Sequence, residues 1–185
     1  MKSKLNSLAW SSLQLGILLG LATWLTSCVE QPDFDDTPRI VFNSIDKFTI
    51  PDPFSGPNAT KDSVVITIDF EDGDGDLGLT FQERSDTAFI NAVYPDWGNY
   101  ELRTFQLRNG RFEELPFSVA SKLFFPLLKP DGRPGPIKGK LDFSQTFFYS
   151  RFARPAIIKF QVRIRDRALR VSNTIETDTI SVPLD

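Results

Sequence analysis

From residue 158 to 165 the chain alternates without a break. Ile158, Phe160, Val162 and Ile164 take one phase; Lys159, Gln161, Arg163 and Arg165 take the other. Successive side chains on a strand point to opposite faces, so this segment predicts a strand with one buried and one solvated face. Val64, Ile66, Ile68 and Phe70 alternate with Val65, Thr67 and Asp69 in the same way. Further strands are predicted at 39–43, 100–107, 111–114, 137–143 and 173–182. Asn109-Gly110 lies between two of them and is a type I′ hairpin signal. After Cys28 no stretch shows a sustained helical stripe. About seven short strands, alternating on one side and separated by turns rich in Gly, Pro and Asp, predict an all-β, immunoglobulin-like two-sheet antiparallel sandwich. The 13 Pro suit strand edges and loops. No internal repeat is evident, so residues 39–185 are expected to form one domain.

The first residues follow a different pattern. Met1-Lys2-Ser3-Lys4 is a short basic start, and 13–25 read LQLGILLGLATWL. That apolar run is short for a transmembrane helix and suits the core of a secretory signal. Leu25-Thr26-Ser27-Cys28 follows and holds the only Cys in the chain. These four residues resemble the lipobox of bacterial lipoproteins. The resemblance implies a lipoprotein signal peptide at 1–27, cleavage before Cys28 and a diacylglycerol on its thiol. The competing reading is an uncleaved signal anchor with an incidental Cys. Two or three acyl chains, at about 0.8 kcal/mol per buried methylene, anchor a protein almost permanently. Residues 29–38 (VEQPDFDDTP) are polar, acidic and contain two Pro, so 28–38 reads as the lipidated Cys and a flexible acidic tether. The acidic residues after the Cys also resemble the export signal of surface lipoproteins in Bacteroidota.

Composition removes several chemistries. The chain has 185 residues and no His, which excludes a Ser-His-Asp triad, a Cys-His pair and an imidazole metal ligand. One Cys excludes an internal disulfide and a thiolate zinc site. A net charge of -3 argues against a nucleic-acid partner. A glycosidase needs two carboxyls facing each other across a cleft, about 5–9.5 Å apart, whereas the acidic residues here crowd one loop. An enzyme is therefore not expected.

That loop is the segment DFEDGDGDLG (69–78), with five carboxylates in eight residues. Two like charges 4 Å apart cost about 1 kcal/mol even in water. A hard cation turns that repulsion into affinity, and alternating Asp-Gly lets the backbone wrap a small sphere. Asp72, Asp74 and Asp76 have the D-x-D-x-D spacing of a calcium loop. Counted from Asp72, Glu83 falls at the twelfth position, where an EF-hand places its bidentate ligand. Leu77 stands where that motif has Gly, and a strand precedes the loop where the motif has a helix, so an EF-hand proper is not expected. The alternatives are a Ca2+ site and a metal-free Asp-Gly turn. In a sandwich, Asp166 would approach Asp69 and Asp72 from the last connection. It could instead pair with Arg167 or cap its own turn. The candidate metal ligands are thus Asp69, Asp72, Asp74, Asp76 and Asp166, and the candidate cofactor is Ca2+.

Residues 166–173 (DRALRVSN) resemble the D-R-A-G-N-x-S-N connection of bacterial immunoglobulin-like domains, with Leu169 and Arg170 in place of Gly-Asn. The lipobox, the DFEDGDGDLG loop and the ending RDRALRVSNTIETDTI together resemble a class of Bacteroidota envelope lipoproteins with an immunoglobulin-like domain. That resemblance covers about a third of the chain. It implies the sandwich fold and a cell outer-membrane, lipid-anchored location, periplasmic or surface-exposed. It brings no activity and no catalytic residue.

Two aromatic groups complete the reading. Residues 94–100 (YPDWGNY) either plug one end of the sandwich or let Tyr94, Trp97 and Tyr100 stack on a glycan. Phe143, Phe147, Phe148, Tyr149 and Phe152, near Arg151 and Arg154, are either core packing at a strand corner or an exposed docking patch. Residues 129–140 (KPDGRPGPIKGK) form a basic loop that could meet an anionic glycolipid or a partner protein. The expected role is a membrane-anchored binding or scaffolding module, with an outer-membrane protein assembly as partner. The alternative is a glycan-binding accessory lipoprotein.

Overall fold

The computed structural model of the chain describes residues 32–115 and 122–184. The signal peptide expected at 1–27, Cys28 and the beginning of the expected tether lie outside the described residues. Asp33–Asp185 form a compact unit of their own, and every element below belongs to it, so this part carries its own core.

Two antiparallel sheets pack face to face. The first is β1 (Arg39–Pro51), β2 (Thr60–Asp72) and β5 (Ile137–Phe148), in the order β1-β2-β5. The second holds β4 (Arg111–Leu115), β3 (Tyr100–Arg108) and β6 (Arg154–Ile164) in that order. The far edge of β6 pairs with two short strands, β7 (Ile175–Glu176) and β8 (Ile180–Leu184). This is the connectivity of an immunoglobulin-like sandwich, with β7 and β8 together taking the place of the last strand.

The alternating patterns set which faces meet. Val64, Ile66 and Ile68 of β2 are 0% exposed, as are Ile158, Phe160, Val162 and Ile164 of β6. These two strands run through the middle of their sheets and supply the centre of the core. Lys159 and Glu176, and Arg163 and Glu101, form ion pairs on the polar phase of the second sheet. Asn109 (φ 49°) and Gly110 (φ 79°) take the left-handed conformation that a type I′ turn requires between β3 and β4.

The structure corrects the sequence reading in two places. The strand predicted at 173–182 is broken. Thr177–Thr179 cross where only Lys159 and Phe160 oppose them, so the register shifts by one residue between β7 and β8. Thr177 is buried at the break. Its hydroxyl accepts from the Phe160 N–H at 3.0 Å, and its own N–H donates to the Phe160 carbonyl at 2.9 Å. A side chain thus replaces a ladder partner. Two short helices were also not foreseen: α1 (Phe81–Ser85) and α2 (Thr87–Val93). Both are too short to show a periodic stripe. Their sequence mark is capping. Thr80 and Glu83 form a capping box, and Asp86 accepts from the Ala88 and Phe89 N–H groups. The helices close a small second core of Leu79, Ile90 and Tyr94.

Candidate metal centre

The inward phase of β2 runs 64, 66, 68, 70 and then 72. Asp72 therefore falls where an apolar residue would sit, and it is 0% exposed. Only its Oδ2 has a partner, accepting from the Asp76 N–H at 3.1 Å. That bond curls the loop back over the end of the strand. Gly75 (φ 73°) and Gly78 (φ 95°) make the curl possible, because L side chains rarely adopt those angles. A Cβ at Gly75 would run into the Gly135 carbonyl oxygen, so the loop also needs glycine to lie against the 129–140 segment.

Asp166 arrives from the β6–β7 connection and is 1% exposed. It caps its own turn, with Oδ1 accepting from the Arg170 N–H at 2.8 Å and Oδ2 from the Arg170 Nε at 2.7 Å. Leu169, which stands where the D-R-A-G-N-x-S-N pattern has Gly, takes φ 65°, in the left-handed region that favours glycine. Ser172 accepts from the Ile164 N–H at 3.0 Å. Asn173 exchanges two 2.9 Å hydrogen bonds with the backbone of Ile40 on β1. The connection is thereby tied to both sheets, which fixes where Asp166 points.

The result is a convergence of three carboxylates. Asp72, Asp76 and Asp166 each offer one oxygen, and these lie within 4.8 Å of one another. Oxygens at about 2.3–2.6 Å from a common Ca2+ are at most about 5 Å apart, so the spacing fits one coordination sphere. Oδ1 of Asp72, Oδ1 of Asp74 and Oδ1 of Asp76 are buried without a hydrogen-bond partner. Buried polar atoms are nearly always partnered, so three orphaned carboxylate oxygens in one place call for an explanation.

The electrostatics agree. Burial, then the charges of Asp74 and Asp76, push the Asp72 carboxyl up to about 7. Burial is also the main reason why Asp76 and Asp166 are raised. Arg170 is the local counter-charge. Its guanidinium is hydrogen-bonded to Asp74 and Asp166 and lies 3.9 Å from Asp76 and 3.5 Å from Asp36. The hydrogen bond to Asp74 is the first reason its pKa is raised. One guanidinium against Asp74, Asp76 and Asp166, with Asp72 beside them, leaves the cluster negative. Residues before β1 lie against it too: the Gly73 N–H donates to the Asp35 carbonyl at 2.9 Å.

No family model matches the chain, and neither a curated protein nor a solved structure is significantly similar to it.

The other residues singled out from the sequence lie elsewhere. Asp69 is three residues from Asp72 on one strand, so the two point to opposite faces. Asp69 is on the outer face, where Lys140 donates to it at 2.9 Å and Asn43 at 2.7 Å. Asp74 borders the three convergent carboxylates and is held by Arg170. Glu83, at the twelfth position, points away. Its carboxylate accepts from Thr80 and from Arg167, at 2.9 Å for the Nη1 bond. The Arg167 guanidinium lowers its pKa to about 2. Tyr94 and Tyr100 are 1% and 3% exposed. Tyr100 stacks on Phe143 at 5.0 Å. The guanidinium of Arg165 lies 4.1 Å from the Trp97 ring and 4.7 Å from Tyr94, and its Nε donates to the Gly98 carbonyl at 2.8 Å. The 94–100 loop is therefore a plug pinned by Arg165, with neither tyrosine face open to a sugar.

Arg170 and Asn173 are the participants that sequence reasoning missed. In the sequence Arg170 shows only as a departure from the motif. A cation directly after the left-handed turn position, opposite an acidic loop, is the available signal.

Proposed function

We propose that the chain is a non-enzymatic, outer-membrane-anchored lipoprotein whose sandwich is a binding or scaffolding module in an envelope assembly, with Ca2+ bracing one end. The observation that carries the cation is the convergence of Asp72, Asp76 and Asp166, in which the buried Oδ1 atoms of Asp72 and Asp76 have no donor. A bound Ca2+ would join the end of β2, the 73–78 loop and the β6–β7 connection, and so hold the loops of that pole in one arrangement. Asp72, Asp76 and Asp166 supply the protein oxygens, and Asp74 is freed to join them if Arg170 swings aside. That exchange of charge keeps the affinity weak, on the order of 10⁻⁴–10⁻³ M, as in other extracellular modules. The lipid at Cys28 rests on the lipobox resemblance. The non-catalytic role rests on a cluster that points into one loop rather than across a cleft.

Calcium titration read by thermal unfolding tests the cation. The melting temperature rises with Ca2+ in the wild type. Asp72→Asn raises the cation-free melting temperature and abolishes the calcium response, because it removes both the buried charge and the ligand. A wild-type protein whose melting temperature ignores Ca2+ excludes the site. Intact-mass measurement of native material tests the anchor: a chain that still begins at Met1 with an unmodified Cys28 excludes it. Pull-down of the lipidated protein from detergent-solubilised envelope tests the assembly.

A further inference from the structure

We propose that the opposite pole, formed by the β1–β2 and β5–β6 turns, is a docking surface for an anionic lipid bilayer. The register aligns Ile50, Lys61 and Phe148 in one row on the outer face of the first sheet, with Phe48 one step back. Beyond that row the turns carry Phe54, which is 94% exposed, and Tyr149 and Phe152, at 51% and 63%. Phe48 and Phe148 are 54% and 58% exposed. Exposed apolar side chains gathered like this mark an interaction surface rather than ordinary scatter.

Among the described residues of the two turns, the exposed charge is positive. The acids of this pole are drawn inside: Asp52 and Asp62 are 2% and 0% exposed, 3.8 Å from Lys61 and 3.5 Å from Lys47. Lys61 is 22% exposed and answers Asp52, whereas Arg151 and Arg154 are exposed and have no carboxylate partner among the described residues. Lys61 lies 5.6 Å from the Phe148 ring and Arg151 lies 4.5 Å from the Phe152 ring. Two copies meeting at this pole would set like charges against each other. Anionic headgroups over an apolar interior answer both features, because cations pair with phosphate while aromatic rings settle at the boundary below. Shape agrees. Phe54 and Phe152 project from the turns, and a fluid surface closes around a projection. The pole lies at the far end of β1 from Asp35 and Asp36. A 13-residue strand spans about 40 Å, so this contact is separate from the cation cluster.

The test uses residues 33–185 in EDTA, so that a failure of the cation site does not affect it. The domain is sedimented with phosphatidylglycerol–phosphatidylethanolamine vesicles and, in parallel, with phosphatidylcholine vesicles. It is expected to bind the anionic vesicles at least about tenfold more tightly. Phe54→Ser combined with Phe152→Ser weakens that binding at least about tenfold with an unchanged melting temperature, since both rings are exposed. Arg151→Glu weakens it on anionic vesicles only. Recovery no greater than in the lipid-free control overturns the proposal, as does wild-type binding by the double variant. A dimer in sedimentation velocity that Phe54→Ser dissolves also overturns it, and assigns the patch to a second copy.

Discussion

Asp62 and Asp72 stand at opposite ends of β2, in the same inward phase, and both are 0% exposed. Their surroundings differ. Asp62 has a full set of partners: Oδ1 accepts from the Thr49 hydroxyl at 2.7 Å, Oδ2 from the Tyr149 hydroxyl at 3.0 Å, and Lys47 stands 3.5 Å away. Asp72 keeps one oxygen bare and has Asp74, Asp76 and Asp166 for neighbours. Sequence spacing and burial do not separate these two aspartates; the donors around them do. A buried carboxylate with both oxygens answered holds structure together. One left short beside like charges is a place where a cation gains. The pair also shows how one strand can end in a closed polar knot at one pole and an open, negative one at the other.

The contrast breaks most sharply on truncation. Asp62→Ala leaves the Lys47 ammonium with only the Ser181 carbonyl, and the Thr49 and Tyr149 hydroxyls without their acceptor. It is expected to destabilise by about 2–4 kcal/mol in urea unfolding, below the full cost of a completely buried pair because Lys47 is partly solvated. Asp72→Asn is expected to have the opposite sign without Ca2+, stabilising by about 1 kcal/mol because it removes a buried charge next to like charges. If both substitutions destabilise equally in EDTA, the two poles are the same kind of site and the cation reading falls.

The next effect is a pH dependence at the rim of the acidic pole. Glu83 is bound by Arg167, which neighbours Asp166, and its pKa in the folded protein is lowered to about 2 from 4.5. A depressed carboxylate adds stability that is fully present above its unfolded value. The contribution therefore fades as the pH falls from about 4.5 towards 2. With Arg167 more than a third exposed, solvent screening leaves about 1 kcal/mol of it. Glu83→Gln should cost that amount at pH 7 and flatten the acid limb of the stability curve in that window. An unchanged acid limb would show that the helix α1 and the 166–170 turn are not coupled.

The two β2 aspartates also mark how far the sequence could be read. Alternation in 64–70 and 158–165 placed the two central strands and the core, because one buried and one wet face leave a period-two record. It also held the answer for Asp69, whose odd spacing from Asp72 puts it on the other face. Reading the acidic segment as a loop motif hid that parity. Other features left no such record. Thr177 interrupts a strand by a side-chain hydrogen bond, which looks like any other Thr in the sequence. Arg170 reaches Asp74 across 96 positions of chain, and Asp62 is answered by Tyr149 from 87 positions away. Which carboxylate finds a donor is decided by the turns that bring distant segments together, and only the folded chain shows it.

The smallest effect isolates the turn that aims Asp166. Leu169 holds φ 65° with its side chain 40% exposed. For an L residue with a Cβ the left-handed region costs about 1–2 kcal/mol. Leu169→Gly removes that strain but adds chain entropy to the unfolded state, about 0.5–1 kcal/mol, so the net gain in urea unfolding is a few tenths to about 1 kcal/mol. Leu169→Val places a β-branched side chain in the same conformation and is expected to destabilise by about 1 kcal/mol. The opposite signs matter more than their sizes. They arise only if the 166–170 turn keeps its hydrogen bond from the Arg170 N–H to Asp166. If glycine and valine at 169 behave alike, the turn is not held left-handed in solution, and Asp166 loses the constraint that brings it to Asp72 and Asp76.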